Sequence, residues 1–156
     1  MHWEHIVSPL GIQLAIKDSL TKVLPLFSRL YDFLKSLFKF HHNSNGVTAV
    51  FGNSVSALAL TGACSLIRVD GTRWIQHVLN GLSNVLNALP AHLASLDAII
   101  SETGYGEVQK ARAKFFKENL NDPELITFTC FMKDIVKTMA VISKVLVIRS
   151  SLNYRL

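Results

Sequence analysis

Apolar residues recur along most of this chain at the three- and four-residue spacing of an amphipathic helix. From Ile12 to Val23, the positions Ile12, Ala15, Ile16, Ser19, Leu20 and Val23 share one side, while Lys17, Asp18 and Lys22 can face water. Pro25 breaks that segment and suits the first turn of the next helix. From Leu26 to Phe40 the stripe Phe27, Leu30, Tyr31, Leu34, Leu37 and Phe38 opposes Arg29, Asp32, Lys35 and Lys39, which predicts a second, strongly amphipathic helix. The run His41-His42-Asn43-Ser44-Asn45-Gly46 reads as a turn. Val47 to Leu60 predicts a third helix that Gly52 weakens.

Ser65 to Val69, bounded by Gly62 and Gly71, predicts a short extended segment, and Thr72 suits the cap of the helix that follows. That helix carries Trp74, Val78, Leu82, Val85, Leu86 and Leu89 until Pro90 stops or kinks it. The apolar face resumes at Leu93, Leu96, Ile99 and Ile100 and ends at Ser101. Gly104 and Gly106 mark a loop ahead of a helix from Glu107 to Leu120. In Asn121-Asp122-Pro123-Glu124, a capping Asp precedes a first-turn Pro and an acid, so a last helix is expected from Pro123 to near Arg149. The predicted fold is mainly α: an irregular bundle of six or seven helices with one short extended segment, forming a single helical domain over 1–156. No internal repeat or low-complexity tract interrupts it.

Composition sharpens this picture at one point. Apolar residues make up 49% of the chain and charged residues 17%, with a mean hydropathy of +0.30. That is high for a domain which buries its apolar surface by itself. A membrane span is not the expected reason. The longest apolar run, Met139 to Ile148, is interrupted by Ser143 and Lys144 and falls short of the roughly 20 residues a spanning helix needs. The start of the chain lacks the basic flank and apolar core of a secretory signal, so a nuclear or cytoplasmic, non-secreted protein is expected. The remaining explanation is a fragment of a larger domain, with an exposed apolar surface that binds a partner protein or drives self-association.

The net charge of +5 and a pI near 9.4 permit contact with nucleic acid without requiring it. Cys64 and Cys130 stand alone, which predicts two free, buried thiols rather than a zinc site or a disulfide. His2, His5, His41 and His42 lack the Cys or acidic partners of a metal set, and neither a metal nor another cofactor is expected. No glycine-rich phosphate loop or nucleophile elbow is present.

Three segments in order, Leu14-Ala15-Ile16-Lys17-Asp18-Ser19-Leu20, His42-Asn43-Ser44-Asn45, and Arg68-Val69-Asp70-Gly71-Thr72-Arg73-Trp74-Ile75-Gln76-His77, form a pattern. Phe131-Met132-Lys133-Asp134-Ile135-Val136 and then Ile142-Ser143 extend it. Together they resemble the middle of hAT-type DNA transposases and of the vertebrate host proteins that carry a TTF-type zinc finger ahead of such a region. The resemblance spans about Ile12 to Leu146. It implies the end of an RNase H-like sheet and most of the helical insertion that follows. On that alignment the family's three metal-binding acids fall outside the chain, and Asp18 and Asp32 are solvated carboxylates. Val7 and Leu10 stand where the family carries Cys and His. The resemblance therefore implies a non-catalytic, transposase-derived module that contacts DNA or a partner subunit.

Arg73 and Trp74 are the residues that the resemblance marks for nucleic acid. The matching tryptophan in relatives lies beside the active site, where an indole can stack on an unpaired base, contributing about 1–3 kcal/mol. Arg73 would contact phosphate. The competing reading packs Trp74 into the core and pairs Arg73 with an acid such as Asp70; partial burial with one face open is the expectation. A second candidate contact is the basic side of the helix after Glu107, with Lys110, Arg112, Lys114 and Lys117. Lys110, Lys114 and Lys117 fall at i, i+4 and i+7 and could follow a phosphate backbone, or form a solvated face. The rival functional class is a helical protein-interaction domain with no nucleic-acid role; an enzyme comes third.

Overall fold

A computed structural model describes residues 9–61, 67–70 and 73–153, with side chains for 11–61, 67–70 and 73–145. Seven helices and no strand are present among the described residues: α1 (Pro9–Val23), α2 (Pro25–His42), α3 (Asn45–Ala57), α4 (Trp74–Asn87), α5 (Leu89–Ser101), α6 (Glu107–Leu120) and α7 (Pro123–Asn153). The protein is mainly α, as its periodicity predicts.

The amphipathic pattern of α2 makes it the centre of the bundle. It buries Phe27, Leu30, Phe33, Leu34, Leu37 and Phe40. One continuous core joins these to Trp74, Val78 and Leu82 of α4, to Leu96 and Ile99 of α5, to Phe116 and Leu120 of α6 and to Leu125, Met132 and Val136 of α7. Trp74 meets Phe27 edge to face, with centroids 6.5 Å apart, and Phe116 meets Phe33 and Phe40 at 6.0 and 5.0 Å. Burying a large side chain in such a cluster stabilises the fold by about 1.5–3 kcal/mol.

Local chemistry sets several boundaries as expected. Pro25 opens α2, and Pro90 sits in the first turn of α5, so the periodic stretch from Trp74 divides at Ala88. Asp122 accepts the Glu124 N–H at 3.0 Å and starts α7. The expected turn at His41–Gly46 is shorter than predicted. α2 runs on through His42 and α3 starts at Asn45, because His41 continues the buried stripe of Leu34 and Leu37 and is itself fully buried. Ser44 caps α3 by accepting the Val47 N–H, and Thr48 Oγ1 donates to the His41 carbonyl at 2.5 Å. The predicted extended segment lies partly outside the described residues, as does the Thr72 cap; Ile67–Asp70 form no strand.

Two glycine-related positions are shaped by tertiary contact. Gly81 is buried in the middle of α4, and a Cβ there would overlap Val69 Cγ1, so the missing side chain lets the Ile67–Asp70 segment lie on the helix. Ala59, just past α3, adopts a φ of 48°, the left-handed conformation that closes a helix end when Leu60 N–H reaches back to the Val55 carbonyl.

Candidate interaction surface

Trp74 lies at the junction of α1, α2 and α4, and none of its surface is exposed. Its indole N–H donates to the Gln13 carbonyl of α1. The expected open face is therefore absent: the ring faces Phe27, and a base cannot reach it. The first-turn position did not project the indole outward, because α1 folds back across that end of α4. Arg73 is exposed and makes no cap with its side chain. The acid suggested for it, Asp70, is taken by Arg68, whose Nε and Nη2 reach the two carboxylate oxygens at 2.5 and 3.1 Å. That pairing holds the Asp70 carboxyl below its ordinary range.

The cations of α6 do not join Arg73 in one site. α6 packs chiefly on α5 and α7, whereas α4 packs chiefly on α7. Lys117 is bound to Asp97 at 2.5 Å, and the Arg112 guanidinium lies 5.5 Å above the centre of the Phe40 ring. Lys110 and Lys114 make no ion pair among the described residues.

An opening of about 620 Å³ lies between α2 and α6. Four of its polar side chains, Arg29, Asp32, Asn119 and Asp122, are engaged with protein partners, while Ser36 and Glu118 also line it. Arg29 donates to Asp122 at 2.8 Å and to Asn119 at 3.0 Å, and Asp32 pairs with Lys35 at 2.7 Å. The Arg29 contact holds the Asp122 carboxyl below its ordinary range. Among the described residues, no three His, Cys, Asp or Glu side chains converge on a point where a metal ion could sit.

The outward face of α7 is different. Leu125, Thr129, Met132, Val136 and Ala140 turn towards the core at helical spacing. On the opposite side Phe131, Val141, Ile142 and Val145 are each about half exposed, and past Ala140 none of the described side chains is buried. Beside this stripe runs a small apolar slot of about 100 Å³ between α1 and α7, walled by Ile12, Ile16, Ile75, Met139 and Ile142. Gln13 Nε2 donates to Ser143 Oγ at 3.2 Å and ties the two helices together at that wall. Cys130, expected to be buried, is exposed on the same side of α7, and Cys64 lies outside the described residues. No helix among the described residues is long and apolar enough to cross a membrane.

Sequence periodicity could not find this surface, because apolar residues from Met139 fall on most sides of the helix, with only Ser143 and Lys144 between them, and name no inward face. Neither did it single out His92, which falls among the small residues of α5 and is fully buried beside His41. The chain matches no protein-family model, no curated protein and no solved structure.

Proposed function

We propose that this chain is a non-catalytic helical interaction module whose working surface is the outward face of α7 with the adjoining edge of α1. One observation carries the reading: a single stretch of α7 exposes Val141, Ile142 and Val145 together, with Phe131 further along the same side. Single exposed apolar residues are ordinary, but a contiguous patch beside a preformed slot is a feature of binding surfaces.

Descent from a hAT-type transposase accounts for the order of the sequence motifs, and within that reading a DNA contact would fall on Lys110 and Lys114, the α6 lysines left without an acidic partner. Burial of Trp74 and the pairing of Lys117 leave the DNA contact with less support than the protein contact.

The test is a double substitution, Ile142→Asp with Val145→Asp. Binding of an apolar dye to the full chain should fall while the melting temperature holds within a few degrees, since these side chains lie outside the core. A large drop in melting temperature would assign the residues to the fold and overturn the interaction reading. Titration with duplex DNA at two salt concentrations checks the rival, because phosphate contact must weaken steeply as salt rises.

A further inference from the structure

The α7 surface carries a charge pattern as well as an apolar stripe. Lys133, Lys137 and Lys144 stand at i, i+4 and i+11. At 3.6 residues per turn those spacings return to nearly the same angle, so the three ammonium groups form one edge of the helix. None of them has an ion pair among the described residues. Next around the helix come Val141, Val145, Phe131 and Ile142, with the exposed Asp134 and Thr138 lying on the same side between Phe131 and Val141, and beyond Ile142 the slot against α1. The surface thus reads in cross-section as a lysine edge, an apolar strip and an apolar slot.

We infer, resting on the interaction reading above, that this surface takes a partner amphipathic helix whose apolar face is flanked by carboxylates. An apolar side chain of that helix fills the slot between Ile16, Ile75, Met139 and Ile142, and its acidic flank faces Lys133, Lys137 and Lys144. Charge complementarity selects this occupant over a second copy of the chain. Two α7 helices packed antiparallel about a twofold axis bring the same edge of each together, which sets lysine against lysine; like charges so placed oppose association. An acidic flank removes that repulsion and sets carboxylates against the three ammonium groups. The slot supplies register, because one bulky side chain has a single place to enter.

The experiment uses the full 156-residue chain and two labelled synthetic helices with identical leucine faces, one flanked by glutamate and one by lysine. Fluorescence anisotropy at low and moderate salt should give binding of the glutamate helix that is on the order of tenfold tighter, with the gap narrowing as salt screens it. Reversing the edge with Lys133→Glu, Lys137→Glu and Lys144→Glu should invert the preference. Ile142→Asp should weaken both peptides. Equal affinity for the two helices would overturn the acidic-partner inference while leaving the interaction surface standing. Sedimentation that finds a dimer which Ile142→Asp dissolves would also overturn it, and would assign the surface to a second copy. Failure of a folded, monomeric chain to bind either helix would sink the interaction reading itself.

Discussion

The imidazoles of His41 and His92 lie with their centres 5.6 Å apart in the core; the Val47 backbone lies within reach of the His41 ring, and neither His92 ring nitrogen has a hydrogen-bond partner among the described residues. Phe51 packs against both rings, at 5.1 Å from His41 and 4.6 Å from His92, and Phe40 closes on His41 from within α2. Among the described residues no carboxylate acts on either ring. Burial pushes His41 down to about 4, and burial with the neighbouring His41 pushes His92 down to about 3.

Acid should therefore unfold this protein early. Both groups have folded values below the ordinary 6.5, so the unfolded chain binds more protons, and stability falls as pH drops from about 6.5 towards 4 and 3. At pH 5 each histidine should have removed about 2 kcal/mol relative to pH 8, together about 4 kcal/mol. Denaturant unfolding across that range measures the loss, and His92→Leu should flatten roughly half of it. A profile that stays level down to pH 5 would sink this account.

Replacing Trp74 should cost stability rather than ligand affinity. Trp74→Ala leaves a large cavity at the α1–α2–α4 junction and should lose about 3–5 kcal/mol. Trp74→Phe fills most of that space but removes the indole donor to the Gln13 carbonyl, which keeps its place in the α1 ladder, a loss of about 0.5–1.5 kcal/mol. Urea denaturation of both variants, beside a titration with single-stranded DNA, separates the roles; selective loss of DNA binding with an unchanged melt would contradict the packing role.

Gly81 and Val69 make a matched pair. Alanine favours a helix interior over glycine by about 1 kcal/mol, yet Gly81→Ala should destabilise α4 by about 1–3 kcal/mol because the new Cβ overlaps Val69. Adding Val69→Ala should recover part of the loss. A double-mutant cycle with no coupling would mean that the Ile67–Asp70 segment shifts freely away from the helix.

Ala59 offers a gain. Its φ of 48° disfavours any residue with a Cβ, and Ala59→Gly should raise stability by about 0.5–1 kcal/mol. A lowered denaturation midpoint would show that the entropy glycine adds to the unfolded chain outweighs the relief at the end of α3.

Local rules determined much of this protein. The spacing of Phe27, Leu30, Leu34 and Leu37 sufficed for α2 and its buried face, and proline placement marked the starts of α2 and α7 and the break that divides α4 from α5. These features depend on neighbours within a turn or two, which the sequence displays directly. Tertiary structure alone decided what depends on residues far apart in the chain. Trp74 is buried because Gln13, 61 positions earlier, crosses over it, and the α6 lysine edge loses Lys117 to Asp97 of another helix. His41 and His92 come together only when α2 and α5 meet, and the outward face of α7 exists only once Ala140 marks where the core ends. Periodicity tells which residues share a side of a helix; only packing tells which side is left uncovered.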